Sequence, residues 1–319
     1  MPQRLPLLIG MVITCAALAN RTPADDSTDP EIHSDSIRVE AIDSKKVESP
    51  GKVRDDNGLH MKLVWCPPGS VVMSQMEMNE DGTPDRSRAP TPVKSFLTRG
   101  YWIGRYEVTQ SEWTQIMGNR PWADEQNSRI GDDFPATFVN WHDAMEFCRK
   151  LTIQERTAGR ITGDEEYTLP TEAQWERACR ARSEARFSFG DDAAKGEDYA
   201  WFAETALHAG EPFPHHVGRK KPNAWGVHDM HGNVWEWCRD AFIQELPGGR
   251  DPEVWSDDEL TDRVRRGGSW EHRAAICGSG DRYWSNPHNI ADSLGFRVVL
   301  TAVRPADDVG KSSQNIGED

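Results

Sequence analysis

Arg263-Val264-Arg265-Arg266-Gly267-Gly268-Ser269-Trp270-Glu271-His272-Arg273-Ala274-Ala275-Ile276-Cys277 carries the densest local signal in the chain. A short β-type run with basic side chains ends in a Gly-Gly-Ser turn, and a cysteine follows. Two adjacent glycines permit positive φ and let another group approach the backbone closely. The turn therefore predicts a pocket wall and makes Ser269, His272 and Cys277 the candidate catalytic residues.

The rest of the chain reads as short strands and capped helices. Met61-Lys62-Leu63-Val64-Trp65 and Ser70-Val71-Val72-Met73 flank a Pro67-Pro68-Gly69 turn, and Tyr101 to Tyr106 forms another strand. Thr109-Gln110-Ser111-Glu112 has the T-x-x-E spacing of a capping box and starts a helix that ends near Gly118. Asn140 opens a second helix, with Trp141, Ala144, Met145, Cys148 and Leu151 at helical spacing. Thr171-Glu172-Ala173-Gln174 is a second capping box and opens a third helix. Cys148 and Cys179 fall on apolar faces and read as small buried hydrophobes. From Phe187 to Lys221 the sequence is loop-like, and His208, His215 and His216 fit no strong metal-ligand spacing.

Composition agrees with an irregular fold. The chain has 319 residues, with 13 Trp against 5 Tyr, and 26 Gly with 20 Pro. Large rings among many turn residues predict an irregular, loop-rich fold rather than long helices or flat sheets. A net charge of −15 argues against nucleic acid and anionic membrane surfaces as partners.

Residues 1–19 read as a signal peptide: Arg4, then an apolar run from Leu5 to Ala16, then an Ala17-Leu18-Ala19 cleavage site. The run is too short to span a bilayer, so no membrane insertion is expected after cleavage. The expected address is exported, periplasmic or extracellular. Lipoprotein anchoring at Cys15 is the less favoured alternative, because Thr14 makes a poor site before that cysteine. Residues 20–57 read as a disordered linker, 58–302 as the folded domain and 303–319 as a polar tail. Five cysteines remain after cleavage, so at least one thiol is unpaired within the chain.

Several motifs recur in order: Glu107-Val108-Thr109-Gln110, Val139-Asn140-Trp141-His142-Asp143-Ala144, and Leu169-Pro170-Thr171-Glu172-Ala173-Gln174-Trp175. They continue with Asn223-Ala224-Trp225-Gly226 through Trp237, Arg266-Gly267-Gly268-Ser269, and Gly295-Phe296-Arg297-Val298. The series resembles the formylglycine-generating enzyme (sulfatase-modifying factor) family over nearly the whole folded domain. The resemblance implies a C-type-lectin-like α+β fold with little regular secondary structure.

It also implies chemistry that this chain keeps only in part. Active members oxidise a sulfatase cysteine to formylglycine with oxygen and copper, using two cysteines five positions apart after the Gly-Gly-Ser turn. The second falls on Cys277 and the first on His272. An imidazole in place of a soft anionic sulfur changes a copper site's charge and redox behaviour. Two functions are therefore expected in competition. One is a family domain that lacks the oxidase and binds a ligand or catalyses a divergent reaction; the other is an active oxidase acting on exported sulfatases.

Disulfide partners implied by the resemblance would fall at Arg282 and Val298, and neither is cysteine. One implied calcium site matches Asp229 and Glu236 with the carbonyls of Gly232 and Val234, a hard-oxygen donor set. A second would need a side-chain amide where Trp201 stands, beside a backbone group at Phe202, and is not expected to be filled. Trp270, Arg282 and Trp284 are the candidate pocket-lining residues.

Overall fold

A computed structural model describes residues 48–303, apart from 78, 80–84, 86 and 126–127. The signal peptide, most of the linker and nearly all of the tail lie outside the described residues, as does the alternative anchor at Cys15.

Three small sheets and three main helices make an α+β, loop-rich unit. The largest sheet orders β1 (Val53–Arg54), β2 (Leu63–Cys66), β5 (Tyr101–Gly104), β12 (Val299–Ala302) and β6 (Glu165–Thr168). A second sheet orders β10 (Tyr283–Ser285), β9 (Arg263–Arg266), β7 (Trp235–Ala241) and β11 (Leu294–Gly295). The third joins the β3 (Gly69–Gln75) and β4 (Thr91–Leu97) hairpin to β8 (Gly249–Arg250).

β1 corrects the linker boundary. Val53 and Arg54 pair with Val64 and Leu63, and Asn57 is buried with its side chain donating to the Met61 carbonyl at 2.6 Å. Two residues are too short a run for an alternating pattern to reveal, so only pairing to β2 makes them a strand.

The helices follow their local signals. α1 (Gln110–Met117) and α3 (Glu172–Arg180) each start at a complete capping box, on Thr109 and Thr171, and α1 ends on Gly118 in the left-handed region. α2 (Trp141–Thr157) starts at Asn140, whose side chain accepts from the Asp143 amide. The loop from Phe187 to Lys221 adds only a one-turn helix, α4 (Gly196–Tyr199), and two 3-10 turns.

Two apolar clusters fill the interior. One gathers Trp113, Phe147, Phe296, Trp235, Trp237, Cys148 and Leu151; the other gathers Val64, Ile103, Trp175, Cys179, Cys238 and Val299. The five described cysteines are all buried and unbridged. No helix among the described residues is long and apolar enough to cross a membrane.

Arg297 clamps the two larger sheets together from a fully buried position. Its guanidinium grips Glu236 on β7 through two bonds of 2.6 Å and donates to the carbonyls of Gly104 on β5 and His228. The Trp175 indole of α3 donates to the same carboxylate at 2.6 Å. A parallel network holds α3 against β9. Arg266 pairs with Glu176 and Glu172, while Arg282 grips Glu172 at 2.5 and 2.8 Å.

Candidate functional site

The Gly-Gly-Ser turn leaves β9 with both glycines at positive φ, 97° and 80°. Gly268 is required for space as well as conformation: a Cβ there would sit 2.2 Å from the Cys277 sulfur. The turn buries Ser269 completely and brings its hydroxyl within 2.6 Å of His272 Nδ1. The imidazole lies edge-on to Trp235, with ring centres 5.4 Å apart. Glu271 approaches the same ring nitrogen at 3.8 Å and accepts from the Ser293 hydroxyl. Burial is the leading cause that lowers the His272 pKa, so the ring is held neutral.

These groups do not make a serine hydrolase relay. In such a relay the acid and the nucleophile occupy opposite ring nitrogens. Here Ser269 and Glu271 both face Nδ1, and Ser269 is shut off from solvent. Ser269 therefore orients His272, and Nε2 is the nitrogen left without a protein partner among the described residues.

Cys277 belongs to a different environment. The 3-10 turn Ala274–Ile276 carries it back beneath the glycines, where it packs with Phe187, Ala200 and Phe202. Its sulfur contacts the backbone carbonyl of Arg273 at 3.4 Å, and its own carbonyl is held by His231 Nδ1 at 2.8 Å. Burial pushes the thiol pKa far above its usual range, with Asp281 adding to the shift.

The donor chemistry does not fit copper. Two soft thiolates suit Cu(I), and the turn offers one enclosed sulfur whose pKa burial raises, with the Nδ1 of His272 engaged by Ser269.

A hard cation fits better, although not with the ligand set implied by sequence. Both Glu236 oxygens are taken by Arg297 and Trp175. Asp229 lies at positive φ in the loop before β7, and one of its oxygens accepts from the Gly218 amide at 2.6 Å. Its other oxygen is buried without a donor among the described residues, and so is Oε2 of Glu107. Gly232 holds the loop close to the chain, since a Cβ there would meet the Trp201 carbonyl at 2.0 Å. A bound calcium ion would neutralise this buried negative charge through carboxylate and carbonyl oxygens. At the second implied calcium position, Trp201 stacks flat on His215 with ring centres 3.7 Å apart, and Lys220 lies over its other face.

The predicted pocket residues are less available than expected. Arg282 is buried and uses its donors on Glu172 and on the carbonyls of Gln244 and Ile243, so it is a strut and not a ligand contact. Trp270 is buried, and Trp284 stacks on Phe242 at 4.0 Å. Of the loop histidines, His215 bonds Glu211 at 3.0 Å, and His216 stacks on Phe134. Sequence reasoning missed Glu107 and Arg265. Arg265 lies 4.7 Å over the Trp235 ring, and its Nε is buried without an acceptor among the described residues.

Residues 51–302 match the sulfatase-modifying factor enzyme 1-like domain family. The chain belongs to this family. It is 30% identical to a formylglycine-generating enzyme of Mus musculus, over 83% of this chain and 82% of that one. It is 26% identical to a protein named chaperone protein LppX of Paenibacillus barcinonensis, covering 72% of this chain and 90% of the relative. Among solved structures, PvdO from Pseudomonas aeruginosa superposes with a TM-score of 0.65 at 26% identity, covering 79% and 99% of the two chains. The sulfatase-modifying-factor-like domain therefore accounts for the described fold.

Proposed function

We propose that this chain is an exported member of the sulfatase-modifying factor family that has lost the two-cysteine copper oxidase site and acts by binding a protein or small-molecule ligand. The observation that carries the reading is His272. It stands where the resemblance places the first thiolate, and Ser269 holds its ring while Cys277 is enclosed, with burial raising its thiol pKa. The similarity to a relative named as a chaperone supports a binding role. Binding would use the partly exposed side chains of His272 and Arg265, which lie over the buried Trp235 indole, with Arg265 Nε lacking an acceptor among the described residues. Export rests on the amino-terminal 19 residues, and a calcium ion in the Asp229 loop completes the reading.

The test is a Cu(I) titration against a competing chelator, followed by incubation with oxygen and a Cys-x-Pro-x-Arg peptide. The expected result is no stoichiometric copper uptake and no change in peptide mass. Turnover that disappears in Cys277→Ala would overturn the proposal.

A further inference from the structure

A cavity of about 290 Å³ opens between the end of α3, the β3–β4 hairpin and the residues that follow Cys277. Arg180, from the last turn of α3, and Arg186, from the loop after it, form part of its wall, with Ser74 and Met76 at the end of β3. Two glycines fit this wall together. Neither Gly278 nor Gly280 has positive φ, so space and not backbone conformation calls for glycine there. A Cβ at Gly280 would lie 2.7 Å from Ser74 Oγ and 3.1 Å from Arg180 Nη2. One at Gly278 would lie 2.8 Å from Asp281 Oδ2 and 3.3 Å from Arg186 Cγ. The bare backbone of residues 278–280 thus lets both arginines lie against it.

Arg180 ends a chain of buried ion pairs. Arg282 pairs with Glu172, Glu172 with Arg266, Arg266 with Glu176, and Glu176 with Arg180 at 2.7 Å, so three guanidinium groups share two carboxylates. Of these three, Arg180 is the one that lines the cavity. Away from Glu176 it reaches only neutral oxygens, the Ala185 carbonyl at 3.2 Å and the Ser74 hydroxyl at 3.4 Å. Arg186 spends Nη2 on the Ala275 carbonyl and on Asp281 at 2.9 Å, while its Nε and Nη1 have no acceptor among the described residues. The Asp281 carboxylate is also engaged by the Gly278 amide at 2.8 Å. Arg88 is mostly exposed and committed to Glu77 and Asp85, and the remaining carboxylate of the lining, Glu184, is exposed to solvent. The wall therefore offers guanidinium donors in excess of acceptors, and planar N–H forks match the oxygens of a carboxylate or phosphate.

We infer that this cavity binds an organic oxyanion, a carboxylate or a phosphate ester, with its charged group between Arg180 and Arg186 and a small apolar body against Met76 and Pro90. The volume lies at the small end of the range for small-molecule pockets, which suits a single ring or a short chain. None of His272, Trp235 and Arg265 lines this cavity, so the site is separate from the binding face proposed above and does not depend on it.

The experiment titrates the full chain with benzoate, phenyl phosphate, inorganic phosphate and benzyl alcohol, and follows binding by ligand-observed NMR. Wild type is expected to bind benzoate or phenyl phosphate saturably, with a Kd at or below about 1 mM. The tighter of the two identifies the head group, and neutral benzyl alcohol is expected not to saturate. Arg186→Gln should weaken the anion about tenfold, the loss of one charge-assisted contact, and Arg88→Gln should change it little. If Arg186→Gln does not fold, Arg186→Lys, which keeps the charge and loses the planar fork, is expected to weaken binding as well. No saturable binding of either aromatic anion by wild type overturns the proposal. So does affinity unchanged in the folded Arg186 variants, which would place the anion elsewhere. Inorganic phosphate bound as tightly as phenyl phosphate overturns the assignment of an organic ligand.

Discussion

Replacing Arg297 by methionine is the sharpest test of how the two larger sheets are held together. The substitution keeps an unbranched apolar stem but removes the guanidinium, which makes two 2.6 Å bonds to Glu236 and single bonds of 2.9 and 3.1 Å to the carbonyls of Gly104 and His228. Glu236 is left as a carboxylate with zero exposure, held only by the Trp175 indole. Stranding one member of a buried ion pair costs about 3–5 kcal/mol. For a domain of this size that corresponds to a fall in Tm of roughly 6–20 °C. Unfolding in urea, with chelator present and followed by tryptophan fluorescence, measures the loss. Adding Glu236→Leu to Arg297→Met removes the stranded charge, so the double variant should be more stable than Arg297→Met alone. The reasoning fails if Arg297→Met lies within about 1 kcal/mol of wild type, or if the two substitutions are simply additive.

Gly268→Ala should destabilise by about 2–4 kcal/mol, because its Cβ meets the Cys277 sulfur in a left-handed backbone. Adding Cys277→Ala should recover only part of this in chemical denaturation, since the Cys277 Cα would still lie 3.1 Å from the new methyl group; full recovery would show that the sulfur alone sets the constraint. Burial pushes the fully enclosed His231 down to about 4, below its unfolded value. The unfolded chain therefore binds the extra proton between those values, so this contribution to stability is complete above pH 6.5 and is lost as pH falls toward 4, on the order of 3 kcal/mol. His231→Gln should flatten the rise of urea midpoint with pH over that window, and an unchanged slope would show that another group titrates.

Much of the fold was legible because its signals are local. The capping boxes at Thr109 and Thr171 and the cap at Asn140 place three helices correctly, because a cap is satisfied within one turn of chain. The Gly267-Gly268 turn was legible for a similar reason: a left-handed pair of residues calls for glycine wherever it occurs. The edge strand at Val53–Arg54 was not, since its identity depends wholly on pairing with β2.

The site divides along the same line. Sequence alone determined the family pattern, the replacement of one thiolate by His272, and the candidacy of Asp229 and Glu236. Three-dimensional packing adds that Ser269 engages His272, that Cys277 is enclosed by Phe187 and Phe202, and that Arg297 claims Glu236 while an oxygen of Glu107 and one of Asp229 are buried without donors among the described residues. A residue type states what a side chain can do. Which of two carboxylates is neutralised by an arginine and which is left with open lone pairs depends on charges brought together from distant parts of the chain, where burial makes each such pairing count.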